Sequence, residues 1–287
     1  MTSGRLRRPA EAALRRCLVM GIVNRTPDSF YDGGRMGLDA SVKHALALVD
    51  EGADMLDLGG VRAGPGPHVT EVEERERLLP LVEALAREVE VPLSVETHRA
   101  DVARAAIAAG ARIVNDVTGL SDPGLAGVVA ETGATLVVMH HGGQIRGRPR
   151  NPRYDDVVAA VRDELLALAR RAEAAGVDPG RIVVDAGLDF GKNTWHSLEL
   201  VRRTAELTTL GYPLLVAPSR KDVVGETLDL PVDDRLEGTL ALVALSVQGG
   251  AAIVRVHDVR ATVRTVRMTE AVLGRRAPAA PVRGLWE

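Results

Sequence analysis

Short runs of apolar, largely β-branched residues alternate along this chain with longer stretches in which apolar positions recur every three or four residues. The short runs predict strands at Leu18–Val23, Met55–Leu58, Leu93–Val95, Ile113–Val114, Thr135–Met139, Ile182–Val184, Leu214–Val216 and Ile253–Val256. The longer stretches predict helices at Asp39–Glu51, Glu71–Glu88, Ala100–Ala109, Pro123–Thr132, Tyr154–Ala175, Ser197–Thr209, Asp233–Gln248 and Ala261–Leu273. Several of these helices are followed by glycine where a left-handed terminating residue belongs, at Gly52, Gly110, Gly133, Gly176 and Gly211. The strands are almost wholly apolar, as strands of a parallel sheet covered on both faces are.

An α/β chain of this kind closes into a (β/α)8 TIM barrel or opens into a doubly wound sheet. The polar residues favour the barrel. Read to their ends, the strands stop at Asn24, Asp57, Glu96, Asn115–Asp116, His140–His141, Asp185, Ser219 and Arg255–His257–Asp258. In a closed barrel all of these converge on one rim, where active sites of that fold lie. An open sheet gathers only those near its switch point. The expected organisation is an arm over 1–16, a single barrel domain over 17–274 and a tail over 275–287.

Composition narrows the function classes. Of 287 residues, 46% are hydrophobic and 26% charged, with a net charge of −3, which leaves no basic footprint for nucleic acid or an anionic membrane. No apolar run approaches the roughly 20 residues of a membrane span, and the Arg-rich first residues lack the apolar stretch of a secretory signal. The one cysteine, Cys17, builds no disulfide framework. A cytoplasmic protein is expected. The seven histidines form no ligand triad, so no protein-built zinc site is expected. Positive charge is spelled with 33 arginines and three lysines, and two of those lysines, Lys192 and Lys221, fall in predicted rim loops. The only two phenylalanines, Phe30 and Phe190, also fall in loops.

Four strings at strand ends carry the chemistry: Asn24-Arg25-Thr26-Pro27-Asp28-Ser29-Phe30, Asp185-Ala186-Gly187-Leu188-Asp189-Phe190-Gly191-Lys192, Ser219-Arg220-Lys221 and Arg255-Val256-His257-Asp258-Val259. Taken singly, each has a plain structural reading. The first is a turn rich in Asn, Pro and Asp, Asp185 a helix cap, Lys221 a solvated lysine, and Arg255 half of a buried ion pair. Alternation sends Arg255 and His257 to the same side of the last strand. In this order, with the shorter Asn115-Asp116-Val117 and Met139-His140, the strings resemble those of the dihydropteroate synthase family, from about Leu18 to Leu273.

That resemblance implies a transferase of folate biosynthesis. It would join a dihydropterin hydroxymethyl diphosphate to p-aminobenzoate and release diphosphate. It implies that Asp185, Asn115, Glu96 and Lys221 hold the pterin, that Met139 lines the ring pocket, and that Asn24 with Mg2+, Arg255 and His257 stabilise the leaving diphosphate. Ser219, Phe190 and Lys221 would border the aminobenzoate. A homodimer through the last helices is implied as well. The carboxylate chemistry suits a pterin, whose flat guanidine-like edge offers two donors to one acceptor pair.

The chain also departs from the family pattern. After the second strand the family reads Gly-Gly-Glu-Ser-Thr-Arg-Pro-Gly, whereas Gly59-Gly60-Val61-Arg62-Ala63-Gly64-Pro65-Gly66 stands here. Glu96 replaces an aspartate, and Asp189 replaces a glycine beside a site for an anion. Arg25 replaces a valine, and Arg25 and Arg62 read as partial replacements for the lost charge. These departures resemble a divergent second-paralogue branch, which implies an alternative: binding of the pterin diphosphate with little or no synthase activity. A third reading, a folate-dependent methyltransferase-like barrel, has no use for a diphosphate clamp at Arg255 and His257.

Overall fold

The protein is described by a computed structural model covering residues 16–25, 37–61, 68–143 and 151–283. Eight parallel strands close into a barrel in chain order: β1 (Leu18–Asn24), β2 (Met55–Gly59), β3 (Leu93–Glu96), β4 (Ile113–Asp116), β5 (Thr135–Met139), β6 (Ile182–Asp185), β7 (Leu214–Val216) and β8 (Ile253–Val256). Around them lie α1 (Gly37–Asp50), α2 (Glu71–Glu88), α3 (Ala100–Ala109), α4 (Leu125–Thr132), α5 (Val157–Ala174), α6 (Thr194–Arg202), α7 (Thr204–Thr208), α8 (Asp222–Leu228), α9 (Leu236–Gln248) and α10 (Val259–Val272). The expected (β/α)8 barrel is therefore the fold, and all five glycines named as helix terminators have positive φ.

Three differences from the expected elements have local causes. The helix expected over Ser197–Thr209 breaks into α6 and α7, where the Thr204 hydroxyl donates back to the carbonyls of Leu200 and Val201. Helix α8 was not expected, because Gly225 interrupts so short a pattern. A Cβ there would meet the Arg235 guanidinium carbon at 2.2 Å, so the glycine leaves room for that side chain. The helix expected from Tyr154 starts at Val157, because the Asp156 carboxylate accepts from the N–H groups of Val158 and Ala159 and caps it.

Two apolar layers follow from the strand period of two. Leu56, Leu58, Val95, Val114, Leu136, Val138, Val184, Val254 and Val256 face outward into one large core with the helices. Met20, Met55, Ile113, Val137, Val183, Leu215 and Ile253 fill the barrel interior. Two residues beyond that inner layer, on the same side of each strand, come Asp57, Asn115, Met139, Asp185 and Arg255. The apolar floor thus carries a polar layer at the C-terminal mouth. Register aligns it: Asn24 pairs with Gly59, Gly59 with Glu96, Glu96 with Asn115, and Met139 with Asp185.

Candidate active site

Asp57 is the centre of this layer. It is fully buried, accepts from Ser94 Oγ at 2.5 Å and Asn115 Nδ2 at 3.0 Å, and binds Arg255 Nε at 2.6 Å. A second carboxylate holds the same guanidinium, since Arg255 Nη2 donates to Glu96 Oε2 at 2.5 Å. Burial opposes the charge of Arg255, but Asp57 and Glu96 outweigh it and raise its pKa. Burial raises the Glu96 carboxyl above the usual carboxylate range, with Arg255 opposing. Asn115 spends its amide N–H on Asp57, and its buried Oδ1 has no partner among the described residues. An orphaned acceptor of this kind calls for a donor from a ligand.

Across the mouth, Asp185 is buried and accepts from the Gly187 N–H at 2.8 Å through Oδ1. Burial raises its carboxyl, with Lys221 opposing. Lys221 donates to the Leu188 carbonyl at 2.8 Å and lies 5.0 Å from the centroid of the Phe190 ring. Burial lowers its ammonium, with Asp185 opposing. The loop after β6 owes its shape to two glycines at positive φ. A Cβ on Gly187 would meet the His140 carbonyl oxygen at 2.0 Å, and one on Gly191 the His141 carbonyl at 2.6 Å. Met139 is buried against Gly187, its Cγ 3.1 Å from that same Cβ position. Near the last strand, Ser219 Oγ meets His257 Nδ1 at 2.9 Å and accepts from the His257 N–H. The His257 ring is open to solvent at one side, yet the crowded protein around it and then Arg255 lower its pKa to about 4. It is neutral near pH 7.

Several sequence expectations land elsewhere. Arg25 is no free charge at the mouth. Pro80 inside α2 has no N–H for the Glu76 carbonyl, and Arg25 Nη1 donates to the carbonyls of Arg77 at 2.5 Å and Glu76 at 3.4 Å. Asp189 is held by its neighbours, while its charge still acts on Lys192 and Lys221. Its Oδ1 accepts from Ser197 Oγ at 2.9 Å, and its Oδ2 accepts from the Val223 N–H at 3.1 Å in the first turn of α8. Phe30, Arg62, Ala63 and Gly64 lie outside the described residues.

Lys192 is not a solvated rim lysine either. It is 3% exposed, and its ammonium meets four acceptors: His140 Nδ1 at 2.7 Å, the carbonyls of Phe190 at 2.8 Å and Gly187 at 2.9 Å, and the His140 carbonyl at 3.5 Å. Burial, then the charge of Lys192, lower the His140 pKa to about 3, so the ring is neutral and its Nε2 faces Glu164 at 3.3 Å. Burial also lowers the Lys192 pKa to about 7, against Asp185. The unfolded chain keeps this proton to roughly pH 10. Between these values the unfolded state binds more protons, so stability rises with pH. The melting temperature of the parent should gain on that of Lys192→Met as pH is raised from about 7 to about 9. A constant difference would assign Lys192 an ordinary pKa.

Asp57 escaped the list of candidate site residues. Its signal was present in the alternation of Met55 and Asp57, one apolar and one charged residue on the inner face of β2.

The model of a family described as pterin binding enzymes matches residues 20–257. The chain belongs to this family. Within it, the chain is 48% identical to inactive dihydropteroate synthase 2 of Mycobacterium tuberculosis over 277 residues, covering 94% of this chain and 87% of that one. It is 42% identical to the dihydropteroate synthase of Bacillus subtilis, covering 90% of this chain and 89% of that one. Among solved structures, Xanthomonas albilineans dihydropteroate synthase with 4-aminobenzoic acid superposes with a TM-score of 0.85 at 42% identity, covering 93% of this chain and 95% of that one. Family membership and the divergent branch expected from the motifs are thus both established.

Proposed function

We propose that this protein is a synthase-type transferase that binds a dihydropterin hydroxymethyl diphosphate and joins it to p-aminobenzoate slowly. The orphaned Asn115 Oδ1 carries the reading: together with the buried carboxylate of Asp185, it would accept from the donor edge of a flat heterocycle. Lys221, whose charge acts on Asp185, would help to hold the ring. In the reaction, the C–O bond to the diphosphate breaks and the diphosphate leaves with the electron pair. The arylamine nitrogen then attacks the pterin-stabilised methylene carbon and loses its proton to solvent. His257, and Arg255 as far as Asp57 and Glu96 release it, would serve the departing anion, the group whose charge changes most. Ser219, Phe190 and Lys221 border the arylamine.

Asn24 suits Mg2+ held jointly with the diphosphate. Its side chain, at the end of β1 with Oδ1 2.9 Å from where a Gly59 Cβ would be, has no hydrogen-bond partner among the described residues. A hard cation takes such an oxygen together with phosphate oxygens and water. Bound there, Mg2+ would neutralise charge on the leaving group. The described residues contain no cluster of three or more His, Cys, Asp or Glu suited to a metal.

Slow turnover is supported by the name of the relative at 48% identity, by Ala63 and Gly64, and by the second carboxylate on Arg255. Incubation with Mg2+, the pterin diphosphate and labelled p-aminobenzoate tests it. Pterin binding with weak product formation is expected, together with a gain on restoring Thr and Arg at positions 63 and 64. Turnover at the rate of an ordinary synthase, or no pterin binding, overturns it. We place the protein in the cytoplasm, as a lone buried thiol at Cys17 suggests; no helix among the described residues is long and apolar enough to cross a membrane. Exposed Leu245, Met268 and Val272 on α9 and α10 suit a homodimer, which sedimentation equilibrium would detect.

A further inference from the structure

Arg255 has two edges on which to grip an anion. The Nε–Nη2 edge, which would pair side-on with a phosphate, is occupied on both nitrogens, by Asp57 at 2.6 Å and Glu96 at 2.5 Å. The side chain so held is 15% exposed. The length of Glu96 makes the second bond. An aspartate on the same strand position would withdraw its carboxylate by about one C–C bond, roughly 1.5 Å. Added to the observed 2.5 Å, that places the oxygen beyond hydrogen-bond reach. The surroundings act in the same direction. Asp57, Glu96 and Asp185 all act on Arg255 as negative charges, and Lys221 is the other cation acting on Glu96.

Resting on the pterin reading, we infer that Glu96 is a specificity-determining residue: it withholds Arg255 from the diphosphate, so the site favours a hydroxymethyl pterin with an uncharged arm over its diphosphate. A guanidinium neutralised by two buried carboxylates offers an incoming anion little net charge. The diphosphate enters a mouth whose three carboxylates already match the three cations acting on them, Arg255, Lys221 and Lys192. The ring edge is served by other residues, so ring binding and anion binding separate.

The test measures the dissociation constants of 6-hydroxymethyl-7,8-dihydropterin and of its diphosphate by calorimetry, with Mg2+, for the full chain, Glu96→Asp and Glu96→Gln. The readout is the ratio of the two constants, which cancels any effect of position 96 on the ring itself. In the parent the diphosphate should bind no tighter than the alcohol. Both variants should raise the preference for the diphosphate about tenfold, equivalent to about 1.4 kcal/mol. Glu96→Gln keeps the length and removes the charge, so it answers if the aspartate variant folds badly. Adding Arg255→Met to either variant should cancel the gain. An unchanged ratio in both variants, with the alcohol still binding, overturns the inference and leaves the pterin reading standing. Failure of both ligands to bind the parent overturns that reading and the inference with it.

Discussion

Replacing Asp185 by Asn is expected to weaken binding of a dihydropterin about tenfold to a hundredfold, the worth of a charge-assisted hydrogen bond of roughly 1.5–3 kcal/mol. Oδ1 of Asp185 already accepts from the Gly187 N–H, and no other protein donor among the described residues reaches the carboxylate. On the proposed reading, the remaining acceptor capacity would serve the donor edge of the pterin. An amide at this position offers its NH2 to groups that are themselves donors. The Gly187 contact survives through the amide oxygen, so the fold should persist. Because burial raises the Asp185 carboxyl, affinity in the parent should begin to fall at a higher pH on acidification than for an exposed aspartate. The asparagine variant should lose that dependence. Calorimetric titration with hydroxymethyl dihydropterin decides it; equal affinity in parent and variant would reduce Asp185 to a brace for its loop.

Removing Arg255 should cost stability as well as ligand. Arg255→Met leaves Asp57 and Glu96 buried without their common cation, and breaking a buried pair in this way costs about 3–5 kcal/mol. The cost depends on pH. The Glu96 carboxyl is already raised by burial and is raised further once the guanidinium is gone, so at lower pH it takes up a proton and the penalty shrinks. Urea unfolding of the variant at about pH 8 should therefore show a larger loss than at about pH 6. A loss below about 1 kcal/mol at both would mean that solvent screens the triad as it screens a surface pair.

Much of this was legible in the sequence, because a barrel repeats a simple rule. Leu93–Val95 reads as a buried strand, and the next residue, Glu96, had to fall at its mouth. The same rule placed Asn115, Asp185 and Arg255. The structure extends β1, β3, β4 and β6 by one or two residues to include those polar ends, so the side chains stand on strands rather than on loops. What the sequence did not disclose were distances across the barrel. Asp57 and Arg255 are 198 residues apart in the chain, and their contact follows from closure and register. Arg25 was read as charge for the site, yet Pro80 in α2 exposes a carbonyl that takes it. Lys192 turned inward because two glycines bring the backbone of its loop against that of β5.

One carboxylate, Asp57, serves donors from β3, β4 and β8. Substitutions at 57, 94, 96, 115 and 255 are therefore not independent. Residues sharing such a network carry coupling energies of about 0.5–3 kcal/mol, comparable with the effect of a single change. The order of changes then matters as much as their identity. Once Glu96 has taken hold of Arg255, every later exchange at 57 or 255 is weighed against a different background from the one an aspartate at 96 would provide.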